Sequence, residues 1–313
     1  MINEDGRDHI VNLPPEFFTN LKFDTESLRQ YRIDAALRCA ETLGEKPALC
    51  LSGGVDSQAM IQCFYEAGLK FDIFILVFNN GLNKQDTEHA KLFCETYNYP
   101  YNELPINIVT YLNRDNFSTS EHYKSLSPQF NTHYRMAEML YAKGYTGVCC
   151  GGFAPYKQDG IYGYNFDKIP FHFVKAQEKF SGAFQGSFLS FSPELAWAIA
   201  LQCEDFDIDV SLDGSSNKFR NWETEQKLNA IRYTLKVDSY KRCGFNVIPQ
   251  EQKFTGFELV KKYFEEQTGD GWTFEKRFRY PLTAAFAKDK TAYKFALTKE
   301  QLDAISLVHF NKF

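Results

Sequence analysis

Short apolar runs alternate with amphipathic segments along the first half of the chain. Four short runs are predicted to be strands, and they lie at residues 47–52, 71–80, 102–109 and 145–152. The first two are the most apolar, as expected of strands buried on both faces of a sheet. Before and between them apolar residues recur at helical spacing, and these segments lie at residues 25–43, 56–68, 84–98 and 133–144. Strands that alternate with helices predict an α/β fold, with an open parallel sheet and helices on both of its faces.

The pattern changes after about residue 153. Residues 153–173 are rich in Gly, Tyr and Phe, which predicts an ordered loop, and Pro14-Pro15 predicts an extended segment without a helix over residues 1–24. The rest of the second half is mostly helical, and the predicted helices lie at residues 192–206, 221–236, 254–269 and 298–313. We therefore predict three parts: an N-terminal extension and helix (1–44), an α/β domain (45–185), and a helical C-terminal region packed on it (186–313).

The composition is that of an ordinary globular protein, and the net charge of −5 does not favour nucleic acid as a partner. A local basic patch would still allow such a partner, so nucleic acid stays open. No apolar run is as long as a membrane span, and the N-terminus lacks a signal-peptide core, so we expect a cytoplasmic protein without membrane contact. No two of the 8 cysteines have CxxC spacing, which argues against a zinc ribbon and against a CxxC redox pair.

The stretch Ser52-Gly53-Gly54-Val55-Asp56-Ser57 lies where the first predicted strand ends and a helix begins. Ligands of open parallel sheets bind beyond the carboxyl ends of the strands. Glycines let the backbone approach an anion closely, and the start of a helix offers N–H groups and the positive end of its dipole. Ser52 and Ser57 add hydroxyl groups, so the stretch predicts a cradle for phosphate.

Asp56 needs a separate explanation, because a carboxylate beside phosphates is repelled unless a cation lies between them. We therefore predict that Asp56 is a ligand of Mg²⁺. The loop lacks the lysine of the GxxxxGK[ST] pattern, so it is a nucleotide loop of another kind.

The sequence SGGVDS resembles the motif of the PP-loop (N-type) ATP pyrophosphatases, over roughly residues 45–155. Members of that family have an adenine nucleotide alpha hydrolase-like fold, adenylate a carboxyl or carbonyl oxygen with ATP, and hold the released pyrophosphate in this loop. The resemblance implies ATP and Mg²⁺ as cofactors, and adenine bound by backbone at the end of the second strand. The nucleotide contacts that it implies are Leu51, Ser52, Gly53, Gly54, Val55, Asp56, Ser57, Val77, Phe78, Asn79, Gly151 and Gly152.

Two segments of the second half, SPELAWAIA and PQEQKFTGFE, look like the synthetase domain of asparagine synthetase and β-lactam synthetase. This resemblance implies an AMP-forming ligase that adenylates a small-molecule carboxylate and joins it to an amine. Lys253 falls where that branch has a lysine that stabilises the tetrahedral intermediate, so Lys253 and Asp56 are the predicted catalytic residues.

The chain departs from that branch in two places. Its relatives end a strand in SGxGxDE, whose acid binds a second Mg²⁺, whereas Pro155 stands at the acidic position here and Asp159 is the substitute that we predict. Whether the second metal site exists stays open. Ile2 follows Met1, and only about 45 residues precede the loop, so we expect no glutaminase domain. The amine would then be free ammonia, a partner's ammonia, an amine substrate or an internal amine.

Two other functions stay open on the sequence. One is a PP-loop enzyme that modifies a nucleotide or a tRNA base, and the other is a non-catalytic nucleotide-binding protein, which the missing acidic motif would suit. No residue pattern indicates which substrates are used. The oligomeric state also stays open, with a homo-oligomer among the alternatives.

Overall fold

A computed structural model describes residues 10–12, 14–123, 125, 127–152, 155–158, 161–165, 179–202, 233–250, 256–268, 274 and 277–278. Its strands are β1 Ile10–Asn12, β2 Pro47–Cys50, β3 Asp72–Phe78, β4 Tyr101–Ile106, β5 Gly147–Cys150, β6 Pro155–Gln158, β7 Ile161–Asn165 and β8 Ala183–Gln185. Its helices are α1 Pro15–Asn20, α2 Thr25–Leu43, α3 Val55–Glu66, α4 Lys84–Thr96, α5 Ile108–Arg114, α6 Asn116–Tyr123, α7 Pro128–Tyr141, α8 Pro193–Leu201, α9 (residues 233–242) and α10 Gly256–Thr268.

The main sheet has five strands in the order β4-β3-β2-β5-β8, and all its neighbouring strands are parallel. Alternate residues of each strand point to opposite faces. Leu49, Ile73 and Cys149 join a core that includes residues of α2, α3, α4 and α8. Ala48, Phe74 and Val148 face a second core, which α7 covers. The predicted α/β fold, an open parallel sheet with helices on both faces, is therefore confirmed.

Two predictions about irregular segments were wrong. Pro15 begins helix α1 instead of preventing it, because the first position of a helix needs no N–H donor and the fixed φ of proline suits it. The predicted loop at residues 153–173 contains the strands β6 and β7, which pair antiparallel, and β1 pairs with β7 in the same small sheet. The Asp159-Gly160 pair between β6 and β7 is itself a hairpin signal in the sequence.

Several boundaries and elements also differ from the prediction. The strand expected at residues 102–109 ends at Ile106, and α5 and α6 follow it where no element was predicted. Helix α7 begins at Pro128 rather than at residue 133, because Ser127 caps it through a hydrogen bond from Phe130 N. The fifth parallel strand, β8, was not predicted.

The helical second half is described in part. Helix α8 begins where Ser192 accepts a hydrogen bond from Leu195 N, as its position before Pro193 indicates. Helix α9 ends at residue 242 rather than at residue 236, and α10 packs against the end of β4 through Phe257 and Val260. The predicted helix at residues 298–313 lies outside the described residues, and the three-part division of the chain stays a prediction. None of the helices in the described part is long and apolar enough to cross a membrane.

Candidate functional site

The strand order creates a crevice at the carboxyl edge of the main sheet. The chain runs from β2 to β3 and β4 on one side, and then returns to β5 on the other side of β2. The connections after β2 and β5 therefore diverge, which is where open α/β sheets bind ligands. A pocket of about 260 Å³ lies there, and the residues that line it include Leu51, Ser52, Gly54, Phe78, Gln129 and His133.

The fold requires glycine at only one of the two glycine positions of the loop. Gly53 has a φ of +83°, and a Cβ there would lie 2.8 Å from the Asp86 carbonyl oxygen, so the fold itself requires glycine. Gly54 has a φ of −71°, and a Cβ there would meet only the Ser52 hydroxyl, at 3.5 Å. The fold therefore does not require glycine at position 54. Because Gly54 lines the pocket, its missing side chain leaves room for a ligand.

Of the predicted contacts at residues 51–57, Leu51, Ser52 and Gly54 line the pocket, and the other four are not among its lining residues. Gly54 is the N-cap residue of α3, and no side chain caps the helix. The Ser57 hydroxyl donates to the Gly54 carbonyl at 2.8 Å and accepts from Ser52 N at 3.2 Å, which holds the two ends of the loop together. An uncapped helix start with hydroxyl groups beside it suits an anion such as phosphate. The loop lies between a strand and a helix as the sequence predicted, and phosphate binding there stays a prediction.

The glycines that end β5 serve close packing. A Cβ on Gly151 would lie 2.5 Å from Ser57 N, so the end of β5 lies directly on the first turn of α3. Gly151 also lines the pocket. The Gly152 carbonyl accepts a hydrogen bond from the Ser187 hydroxyl at 3.2 Å. Gly151 therefore fixes the helix start that faces the pocket, and Gly152 binds the segment before α8.

The carboxylate of Asp56 is held by the C-terminal part of the chain. Lys236 Nζ lies 2.7 Å from one oxygen, and the Tyr240 hydroxyl donates to the other. Burial, and then the negative charge of Asp56, raise the pKa of Tyr240 well above its usual value, so this phenol stays a donor. Both residues lie on α9, and sequence reasoning missed them because they are 180 and 184 positions away from Asp56.

These donors bear on the predicted magnesium site. Both oxygens of Asp56 already accept hydrogen bonds, and within the described ranges no three His, Cys, Asp or Glu side chains are grouped as metal ligands would be. The role of Asp56 as a ligand of Mg²⁺ stays a prediction, since Mg²⁺ is often held by one or two carboxylates together with the phosphates of a substrate. Asp159, the other predicted ligand, and Lys253, the predicted catalytic lysine, lie outside the described residues.

The three residues predicted to bind adenine, Val77, Phe78 and Asn79, differ in whether they pair with β4 or line the pocket. The backbone N–H of Asn79 donates to Ile106 at the end of β4, and Val77 is paired with Pro105 of the same strand. Only Phe78 of the three lines the pocket. Its N–H donates to Asn83 Oδ1 at 2.8 Å, and Asn83 Nδ2 donates to the Leu76 carbonyl at 2.8 Å. The adenine contacts of these residues stay a prediction.

Helix α7 adds polar groups that the sequence analysis missed. Gln129 and His133 both line the pocket. Burial lowers the pKa of His133 to about 4, so its imidazole is neutral near pH 7. The spacing of four residues would have placed both side chains on one helix face. The signal was lost because the predicted helix began at residue 133.

Residues 243–250, called the C-terminal segment from here on, close one side of the pocket. Gln58, which is fully buried, donates to the Gly53 carbonyl at 2.7 Å and to the Ile248 carbonyl at 2.8 Å. Its own oxygen accepts from Ile248 N at 2.8 Å. Gln250 lines the pocket and donates to the Asp86 carboxylate at 3.2 Å. The buried side-chain amide of Gln58 thus joins the loop at residues 52–57 to the second half of the chain.

Two cysteines also line the pocket. Cys50 and Cys150 are paired in the register of β2 and β5. The hydrogen bond with Cys150, and then burial, raise the pKa of Cys50 well above its usual value. Cys50 is therefore held as a thiol, and a thiol is a weak nucleophile compared with a thiolate.

Comparisons with known proteins leave the family unassigned. No protein-family model matches the chain, and no curated protein matches it. Among solved structures, the U34-tRNA thiolase NcsA from Methanococcus maripaludis, described with its [4Fe-4S] cluster, is similar over 88% of this chain and 84% of that chain. The identity is 10% and the TM-score is 0.36, so nothing about the activity of this chain is inferred from that likeness.

Proposed function

We propose that the chain binds ATP in this pocket and is an AMP-forming ligase that adenylates a carboxylate before forming an amide. The observation that carries the proposal is Gly54, which lines the pocket at the uncapped start of α3 although the fold itself does not require a glycine there. A nucleotide phosphate is a ligand that needs both the missing side chain and the N–H groups of a helix start.

Two steps make up the reaction, and each forms one bond and breaks another. A carboxylate oxygen of the substrate attacks the α-phosphorus of ATP, the bond from that phosphorus to the bridging oxygen breaks, and pyrophosphate leaves. An amine then attacks the carbonyl carbon of the acyl-adenylate, loses a proton, and displaces AMP. Pyrophosphate carries the negative charge that develops in the first step. The loop at residues 52–57 and the start of α3 would stabilise it.

We expect Lys236 to assist, because it is held beside the first turn of α3. Its side chain is 18% exposed, and its ammonium group lies 2.7 Å from Asp56, on the first turn of α3. The salt bridge with Asp56 fixes the position of the charge before any substrate binds. If pyrophosphate binds at this helix start, the ammonium group would be close to the charge that develops on it and would favour the transition state.

The predicted catalytic lysine follows, in the sequence, a segment that lines the pocket. Gln250 lines the pocket, and Lys253 follows it by three residues. Three residues span at most roughly 11 Å of chain. The buried bonds of Gln58 to Ile248 hold the preceding segment against the loop. These contacts support the ligase assignment of the C-terminal region, whose sequence carries the resemblance.

The test follows the label of α-labelled ATP in the purified chain, with pools of carboxylic acids, amines and tRNA added one at a time. We expect AMP and pyrophosphate with a pool of small acids and amines. Gly54→Val should abolish their formation, because a side chain here would fill the space beside the start of α3, and a melting curve checks that the variant still folds.

The outcomes separate the three functions. Release of ADP, or AMP formation that Gly54→Val leaves unchanged, would overturn the proposal. AMP formed only when tRNA is added would assign the chain to base modification instead. ATP binding without any cleavage in every pool would leave a non-catalytic nucleotide-binding protein.

A further inference from the structure

The end of β3 shows which part of the pocket can read a nucleobase. In a parallel sheet the backbone groups of one strand alternate between its two neighbours. Phe74 is directed to β2, since its carbonyl accepts from Leu51 N at 2.8 Å. Leu76 and Phe78 have the same parity as Phe74 and extend past the end of β2. Their backbone groups therefore face the space next to β2, where the pocket lies.

Asn83 already uses the hydrogen-bonding groups on that edge. Its Oδ1 accepts from Phe78 N, and its Nδ2 donates to the Leu76 carbonyl, both at 2.8 Å. The Asn83 side chain is well buried, with 7% of the residue exposed. A base that bonded to this backbone would have to displace a buried amide and leave it without its partners, which is costly.

Helix α7 offers the alternative. Gln129 and His133 are four residues apart and line the pocket together with Met136. The amide of Gln129 carries both a donor and an acceptor, which is what the edge of a purine requires, and His133 can add Nε2, since its Nδ1 is buried. Phe78 and Met136 supply apolar surface for the faces of the ring. Polar edge contacts with apolar faces are the usual composition of a base-binding pocket.

We propose that Gln129 and His133 read the edge of the adenine ring, and that the backbone of β3 does not. This inference rests on the proposed function, because it names the residues that select the nucleotide at the same site. Asn83 keeps the strand edge closed, so the base is recognised by side chains of α7. Selectivity for the base would then be separable from binding of the phosphates, which the loop at residues 52–57 performs.

The experiment measures dissociation constants for ATP, ITP and inorganic tripolyphosphate by calorimetry. In the unmodified chain we expect ATP to bind more tightly than ITP, since the two differ only at the base edge. Gln129→Leu and His133→Phe should each reduce that preference by about three- to tenfold, the effect of one lost hydrogen bond. The affinity for tripolyphosphate should stay unchanged in both variants.

Arg135→Gln is the control, because Arg135 lies exposed on the same helix and bonds only to Glu138 among the described residues. It should leave the preference for ATP unchanged. If Gln129→Leu and His133→Phe keep the full preference for ATP, the inference is overturned and the strand edge reads the base. If the unmodified chain binds ATP, ITP and tripolyphosphate equally, the base is not read, although the phosphate site stands. If none of the three binds, both proposals fail.

Discussion

The two ends of the pocket satisfy their backbone groups in opposite ways. At the end where we propose phosphate binding (the phosphate end), α3 begins without a side-chain cap and Gly54 leaves open space beside it. At the end where we propose base binding (the base end), the side chain of Asn83 bonds to both the Phe78 N–H and the Leu76 carbonyl. An open backbone suits an anion that any nucleotide carries. A closed backbone leaves discrimination to side chains, which can differ between related proteins without changing the fold.

The largest effect that would sharpen this comparison is on stability at the phosphate end. Gly151→Ala places a Cβ 2.5 Å from Ser57 N, where backbone cannot yield, so we expect a loss of about 2–4 kcal/mol in the free energy of unfolding. Gly54→Ala is the matched control, with a Cβ that meets only the Ser52 hydroxyl at 3.5 Å. Urea denaturation measures both. Equal losses in the two variants would show that Gly54 is also required by the fold.

The next effect concerns the charge at the start of α3. Lys236→Met removes the ammonium group that is held 2.7 Å from Asp56, and we expect kcat for AMP formation to fall roughly a hundredfold, as for other lost charge-stabilising groups. Lys241→Met is the control, because Lys241 is exposed on the same helix. Steady-state kinetics with a responsive substrate pool measures the change. A similar kcat in both variants would mean that Lys236 only holds α9 in place.

At the base end, Asn83→Ala should cost about 1–3 kcal/mol of unfolding free energy, because the Phe78 N–H and the Leu76 carbonyl lose a buried partner. Asn80→Ala, at an exposed neighbouring position, should cost less than half of that. Denaturant titrations of the two variants decide the point. An unchanged stability in Asn83→Ala would indicate that water replaces the amide and that the strand edge is available to a ligand.

The smallest effect is a dependence of stability on pH at the same end. Burial lowers the pKa of His133 to about 4, below its ordinary value of about 6.5, so the unfolded chain binds more protons than the folded chain between these values. Stability should therefore fall as pH drops from 6.5 to 4 and then level off, by about 1–3 kcal/mol from this residue.

His133→Phe should flatten that part of the pH profile, whereas His122→Phe, at an exposed histidine on α6, should leave it as it was. Chemical denaturation at several pH values supplies the profile. Parallel profiles for the unmodified chain and His133→Phe would contradict the expected protonation behaviour.

The sequence predicted features that depend on neighbouring residues in the chain. The alternation of apolar runs and amphipathic segments was sufficient for four strands of the parallel sheet, and the glycines of residues 52–57 were sufficient for a loop between a strand and a helix. Local reasoning also explains the errors. Pro15 was interpreted as a helix breaker, although a proline at the first position begins a helix, and the capping role of Ser127 was not recognised.

Features that depend on residues far apart could not be predicted in this way. The contact of Asp56 with Lys236 joins α3 to α9 across 180 positions, and no periodicity indicates it. The bond from Phe78 N–H to Asn83 depends on two distant features. The register of β2 and β3 decides which backbone groups of β3 face the pocket, and the turn after β3 brings Asn83 back to them. A shift of one residue in this register would turn a different set of backbone groups toward the pocket. Element boundaries inferred from sequence patterns have errors larger than one residue, so the sequence could not decide this point.

The bridge made by Gln58 has a consequence for how the chain can be divided. Its side chain binds Gly53 of the loop and Ile248 of the C-terminal segment, and Arg32 adds a bond to the Cys243 carbonyl at 2.6 Å. A nucleotide that orders the loop would therefore also protect the backbone of residues 243–250 from hydrogen exchange. Thermodynamic linkage makes the effect reciprocal. A shortened chain without residues 243–250 would bind nucleotide more weakly, by the free energy with which bound nucleotide stabilises that segment in the full chain.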